Sequence, residues 1–294
     1  MTQIITRRMS AARVKRARAV EALAKTLMGA CLLFAVAATV GIIAIIVWRG
    51  AASISAEFIF GMPTHNMTQG GIWPAIWGTI LLTLGTALFA LPLGVGAGLY
   101  LSEYATRGPS TRVVRLSIQN MAGVPSIVYG LFGLSLFGIV LKFGVSLLAG
   151  CLTLACMTLP IIIASTEEAL QQVPQDLRQA SLALGATKLR TVLVVVLPAA
   201  APGIVTGSIL GLSRAAGETA PIIFTAAAFY APMPRTPLDQ VMALPYHLYI
   251  MATQAVKPAP GIVWGTALVL VAGVTTAGVL AAGWRSRQRS KIRW

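Results

Sequence analysis

Six stretches of this chain, residues 27–47, 76–100, 121–140, 145–165, 199–220 and 261–284, are almost wholly apolar, and each is close to the roughly 20 residues that cross a bilayer as a helix. That pattern excludes more folds than any other feature. In water, runs of this length must be covered by other protein, and the chain lacks the polar residues to build such a cover. Of its 294 residues 56% are hydrophobic and only 11% are charged. Inside a bilayer the backbone has to satisfy its own hydrogen bonds, and long apolar segments do so as helices. The expected fold is all-α, a polytopic membrane protein with six transmembrane helices.

The basic residues orient it. Placing residues 1–26 in the cytoplasm puts 101–120, 166–198 and 285–294 on the same side. Those inner segments hold 18 of the 23 Lys and Arg residues, against four in the outer loops, Arg49, Lys142, Arg235 and Lys257. Positive residues stay on the cytoplasmic side, so the N- and C-termini are both inside. The first span follows 26 residues and exceeds a signal-peptide core, which makes it an uncleaved anchor. The net charge of +15 comes mostly from the two ends: Arg7, Arg8, Arg13, Lys15, Arg16, Arg18 and Lys25, then Arg285, Arg287, Arg289, Lys291 and Arg293. With no basic groove between them, these clusters suit anionic membrane lipid rather than nucleic acid. Trp48, Trp73, Trp77, Trp264 and Trp284 fall near predicted span ends, where amphipathic rings favour the interface. The chain thus divides into a basic arm (1–26), a membrane domain (27–284) and a basic tail (285–294). Two long loops interrupt the membrane domain, an inner one at 166–198 and a proline-rich outer one at 221–260.

Several kinds of chemistry are missing. Cys31, Cys151 and Cys156 lie in apolar runs, read as small packing residues, with neither metal-ligand spacing nor a disulfide framework. His65 and His247 both fall in outer loops, and no zincin motif occurs. GATKLRT lacks the glycine–lysine pair of a phosphate-binding loop, so this chain binds no nucleotide that way. Glu218 is the one acidic residue in a span, which disfavours a proton-coupled carrier acting alone.

The inner loop is too long for a plain connection. In TEEALQQVPQDLRQASLALGATKLRTVLVVVLP (166–198), Pro174 opens a short helix and Asp176 sits in its first turn, where the helix dipole favours a carboxylate. Gly185 stops that helix, and a return helix re-enters the membrane. This knob resembles the EAA loop of ABC importer permeases, E-A-A-x3-G-x9-I-x-L-P. Gln179, Ala180, Ser181, Gly185, Val195, Leu197 and Pro198 stand at those spacings, with glutamine in place of the acidic residue and serine in place of an alanine. LPLGVGAGLYLSEY (91–104), AGVPSIVYGLFGL (122–134), LPAAAPGIVTG (197–207), LSRAAGETAPIIFTA (212–226) and ALPYHLY (243–249) extend the likeness to phosphate-specific permeases of the PstA type.

What the resemblance implies is a type I ABC importer permease in the bacterial inner membrane. It implies a second, related permease subunit, two copies of a cytoplasmic ABC ATPase that carry the ATP and Mg, and an external phosphate-binding protein. This chain itself would hold no cofactor or metal. Gln179, Ala180, Ser181, Gly185, Ala186, Leu197 and Pro198 would form the ATPase-coupling surface. Another oxyanion, such as sulfate or molybdate, is the alternative cargo. A channel or carrier working alone is the alternative class.

Arg214 and Glu218 then stand out, with Thr219 beside them. An arginine at the centre of a bilayer helix costs about 2.5–3.5 kcal/mol on insertion scales. The two could simply pair at i and i+4 and fix packing, although arginine preceding glutamate is the weaker order, and apolar residues generally pack as stably as a buried ion pair. Alternatively they line the anion's path: the guanidinium offers a fork of donors to phosphate, and the carboxylate tempers its grip. Sixteen residues beyond Pro198, Arg214 is expected in the outer half of the membrane, with Pro221 bending or ending its helix. Gly94, Gly96 and Gly98 after Pro92, and Gly123, Pro125, Gly130 and Gly133 in the third span, permit close packing or hinges.

Overall fold

The computed structural model describes residues 11–64, 69–106, 108–254 and 260–289, so Arg7, Arg8, His65, Lys257, Lys291 and Arg293 lie outside the described residues. Helix α1 (Ala11–Gly50) runs through the second half of the basic arm into the first span. A short helix α2 (Ala56–Phe60), capped by the Ser55 hydroxyl, and a two-residue hairpin, β1 (Pro63–Thr64) with β2 (Gln69–Gly70), follow on the outer side. Helix α3 (Trp73–Leu99) crosses inward and ends in a π-helical turn, Tyr100–Tyr104. Next come α4 (Pro109–Ala122) and α5 (Ser126–Gly133), which continues as π-helix to Val140. Helix α6 (Leu147–Gln171) is the central rod, and α7 (Gln175–Ala183) is the knob helix. Helices α8 (Lys188–Thr191) and α9 (Leu197–Ala216) are joined by a π-helical stretch, Val192–Val196. The chain closes with α10 (Ala220–Thr225), α11 (Leu244–Thr253) and α12 (Pro260–Arg289).

Among the described residues, five helices are long and apolar enough to cross a membrane, and the pair α4 and α5, bent by 102° at its junction, makes up to six. The count of six thus needs a broken helix. The expected third span, 121–140, is helical toward the outer side only from Ser126, and residues 109–122 of the expected inner segment form an amphipathic helix across it. The cause is Gly123-Val124-Pro125: proline pushes the residue before it out of the helical region.

Small residues bring α6, α3 and α9 together, as they must where lipid removes the hydrophobic drive between helices. On α3, Gly94 faces Ile162 and Gly98 faces Thr166, so these two glycines serve close packing; Gly96 meets nothing. On α9, Gly203 faces Ala169, Gly207 faces Ser165, and Gly211 faces Ile161 and Ile162. Cys151 is buried against Leu82 and Gly85, and Cys156 is half-buried. Cys31 is exposed on α1, so it is not an internal packing residue of this chain.

The segment 221–260 is not one outer loop. Helix α10 occupies the outer half of the bundle, its last carbonyl, Thr225, accepting from the Ser146 amide at the outer end of α6. Beyond it, Val241 bridges back to Ala227, and α11 packs over the bundle's outer end, where Met251 and Leu244 join Phe58, Ile72 and Ile262 in one apolar cluster. Trp73 and Trp77 stack there, and Arg49 lies over the Trp264 ring at 5.1 Å.

Candidate functional site

Helix α9 stops short. It ends at Ala216, four residues before the expected end of that span, and Gly217, Glu218 and Thr219 break the chain before α10 resumes toward the outer side. Pro221 therefore does not end α9. It sits in the first turn of α10, where its missing N–H costs nothing. The depth of the break follows from packing. The pairs Gly203–Ala169, Gly207–Ser165 and Gly211–Ile162 run antiparallel in step, and three residues further on Arg214 is level with the middle of α6. Arg214 thus lies about half-way through the bundle rather than in its outer half, because much of Lys188–Leu197 stands inside of α6's cytoplasmic end. The break at Gly123–Pro125 comes to the same region: Gly130, in the first turns of α5, packs on Ala220 and Pro221.

Two broken helices therefore meet near mid-membrane. Irregular backbone at that depth persists only where protein or a polar cavity covers it, and such breaks commonly form substrate sites in transporters. Arg214 and Glu218 do pair, though not along one helix face, since Glu218 lies past the helix end. A single contact joins them, Arg214 Nε to Glu218 Oε1 at 3.3 Å. The arginine side chain is 56% exposed and the glutamate 17%. Glu218 faces a crevice lined by Thr79, Thr83, Leu154, Ile222 and Pro245. Thr219 sits in the break, its carbonyl accepting from the Ile223 amide. Arg214 is in the last turn of α9, where the dipole favours a cation. Neither Nη nitrogen has a hydrogen-bond partner among the described residues, so the end of the guanidinium fork points away from the chain with its donors unused.

The knob is a second site. A Schellman cap closes α7: Gly185 N–H donates to Leu182 O at 2.9 Å, and Ala186 N–H to Ser181 O at 3.3 Å. Gly185 takes φ +82°, the left-handed region that glycine enters without strain. Gln179 and Ala180 are exposed, as a docking surface requires, and Ala186 is half-buried. Ser181 instead turns inward, its hydroxyl 2.9 Å from that of Thr191, which straps α7 to α8. Leu197 packs on the cluster of Leu170, Val173 and Val196. Pro198 lies within a continuous helix, and the π-helical stretch before it lets the chain pass a residue with no N–H to donate.

Sequence reasoning missed the residues that hold the knob. Arg178 and Glu103 form a buried pair, Nη2–Oε1 at 2.8 Å and Nε–Oε2 at 3.4 Å, with side chains 12% and 9% exposed. Arg178 also donates to the carbonyls of Leu170 at 2.8 Å and Val173 at 2.6 Å, closing the inner end of α6. Both charges are visible in the sequence, but their pairing across 75 residues is not. Leu184, 90% exposed at the tip of the knob, was also missed. A leucine at the exposed end of a polar helix was the available signal.

Comparison with known proteins matches residues 90–290 to the family described as "Binding-protein-dependent transport system inner membrane component". The chain belongs to this family. It is 34% identical over 275 residues to a probable ABC transporter permease protein of Bacillus subtilis (strain 168), covering 89% of this chain and 93% of that one. It is 35% identical over 246 residues to a probable phosphate transport system permease protein of Methanocaldococcus jannaschii, covering 83% and 86%. Its fold is similar to a chain in the crystal structure of a bacterial ABC transporter that imports alginate, with TM-score 0.63 and 12% identity, over 94% of this chain and 97% of that one. This permease therefore has the type I ABC importer fold. It is a multi-pass membrane component that forms a path and leaves catalysis to others.

Proposed function

We propose that this permease carries inorganic phosphate through the bacterial inner membrane, as one of two related permease subunits driven by a pair of ATPases. The observation that carries the reading is the exposure of Arg214 at mid-membrane. Against acyl chains, a half-exposed guanidinium at that depth would cost several kcal/mol. Facing a second subunit across a wet path, it costs far less. Its free end presents two parallel donors, a fit for two oxygens of a tetrahedral oxyanion. Relatives named as phosphate transport permeases support the choice of cargo.

The rest of the assembly follows the same logic. The exposed knob of Gln179, Ala180 and Leu184 receives a cytoplasmic ATPase, which supplies ATP and Mg. The cap built from α2, the hairpin and α11 receives an external phosphate-binding protein. The basic ends keep the N- and C-termini in the cytoplasm. The test is labelled-phosphate uptake by starved cells lacking this chain, with and without its restoration. The reading expects uptake to return and excess sulfate or molybdate to leave it unchanged. Uptake that sulfate or molybdate suppresses as well as phosphate does would assign a different oxyanion, and uptake independent of ATP would point to a carrier acting alone.

A further inference from the structure

The π-helical turn Tyr100–Tyr104, at the cytoplasmic end of α3, touches the elements around the knob. Its Glu103 pairs with Arg178 of α7. Its Tyr104 ring lies 4.9 Å beneath the Lys188 ammonium, at the start of α8. Its Leu101 carbonyl accepts from Arg115 Nη2 of α4 at 2.8 Å. The same nitrogen stands 2.9 Å from Glu167 of α6, an ion pair without hydrogen-bond alignment. The Leu101 carbonyl lies in the last turn of its helix, where carbonyls have no intrahelical partner, so it is available to an outside donor.

From this hub a chain of contacts leads to the break. Helix α4 carries Arg115 at its middle and Met121 at its C-terminal end. The Tyr129 hydroxyl of α5 donates to the Met121 carbonyl at 2.9 Å, tying the helices together across Gly123–Pro125. Gly130 of α5 then packs on Ala220 and Pro221, directly after Glu218 and Thr219. Arg214 reaches the break by a separate route, on the helix that runs from Lys188 to Ala216. Glu218 itself stays with the end of α9, its amide donating to Ala215 O at 3.2 Å, while α10, two residues further on, is packed by α5. The two flanks of the break, α9 and the α5–α10 pair, thus reach the same knob by different routes.

We propose that the turn Tyr100–Tyr104 is the mechanical relay of this permease, and that Glu103 and Arg115 are positioning residues that make the α5–α10 flank of the break follow the knob when the ATPase moves it. This rests on the reading that an ATPase docks on α7. Without the relay, α9 alone would follow the knob, and ATP would be hydrolysed without the two flanks changing place together.

The experiment uses the complete reconstituted transporter, comparing wild type with Glu103→Gln, Glu103→Asp and Lys188→Gln. Phosphate uptake and ATP hydrolysis are measured on the same vesicles. Glu103→Gln should bind the ATPase normally and hydrolyse ATP, while ATP consumed per phosphate rises about fivefold or more. Glu103→Asp should retain most coupling. Exposed Lys188→Gln, which has no buried contact to lose, should shift the ratio in the same direction by about twofold and keeps the test open if Glu103→Gln fails to assemble. Wild-type coupling in an assembled Glu103→Gln complex, or in Lys188→Gln where the former does not assemble, overturns the relay. A spin-label pair at Val128 on α5 and Leu210 on α9 gives a readout independent of cargo. ATP should leave that distance nearly unchanged in wild type, where both flanks move together, and change it in Glu103→Gln, where α9 moves alone; the same response in both overturns the relay. A wild type that moves no phosphate but shows this difference from Glu103→Gln defeats the cargo and leaves the relay standing.

Discussion

Two arginine–glutamate pairs in this molecule are built in opposite ways. At the cytoplasmic end Arg178 is buried, makes two contacts to Glu103 and caps two carbonyls of the α6 terminus. At mid-membrane Arg214 is half-exposed and makes one long contact to Glu218. The first guanidinium has spent its donors on its own chain, and its removal would strand a buried carboxylate. The second has its outer donors unused by the described residues, half-way through the bundle. A saturated arginine holds a structure together; an unsaturated one in a membrane is there for something that comes and goes.

The two pairs should differ most in stability. Arg178→Met, by leaving Glu103 unpaired, should cost about 3 kcal/mol or more, read as a fall in Tm of the purified complex, whereas Arg214→Gln should change stability by under about 0.5 kcal/mol. Equal losses would mean that the two pairs do the same work.

A third region sharpens the contrast because it uses no charge pair. His247 of α11 is buried beside the Thr266 hydroxyl, and burial pushes its pKa down from the usual 6.5 to about 4. The folded pKa lies below the unfolded one, so the unfolded state takes up the proton first as pH falls. Stability of the outer cap is full above about pH 6.5 and declines toward pH 4, with about 2 kcal/mol lost at pH 5. Thermal melts at pH 7 and 5 should show this loss, and His247→Phe should flatten it.

Gly185→Ala should cost about 1 kcal/mol, since a side chain at φ +82° is strained, and should lower ATPase co-purification while leaving the membrane bundle intact. The smallest effect is expected at Glu218. In Glu218→Gln the arginine's grip is no longer opposed, so phosphate KM and kcat should fall together by about threefold, as when a ground state is held more tightly than the transition state. An unchanged KM would remove Glu218 from the path.

Much of this was legible in the chain itself. The apolar spans follow from hydropathy. The knob helix, its proline start and its Gly185 stop follow from local rules that tertiary contacts do not override. Hydropathy hides the two breaks for a definite reason. Gly217-Glu218-Thr219 and Gly123-Val124-Pro125 sit in sequences still apolar enough to average as continuous spans, so hydropathy counts through them. Counting from Pro198 misplaces Arg214 for a related reason: the first residues of that helix lie beyond the end of α6, as the Gly203–Ala169 contact shows. The Arg178–Glu103 contact joins segments 75 residues apart and the Arg115–Leu101 contact crosses a turn between two helices, and neither propensity nor period encodes them.

If phosphate passes the break, Arg214 carries most of the site, and one measurement reaches it directly: phosphate uptake by the reconstituted complex carrying Arg214→Gln, at matched protein level, ATPase content and thermal stability. The structure predicts an assembled, normally stable complex whose uptake falls by about 100-fold, the loss of one charge-assisted, bidentate contact. Uptake at the wild-type rate would contradict it, leaving the pair as a packing device and the phosphate path elsewhere in the bundle.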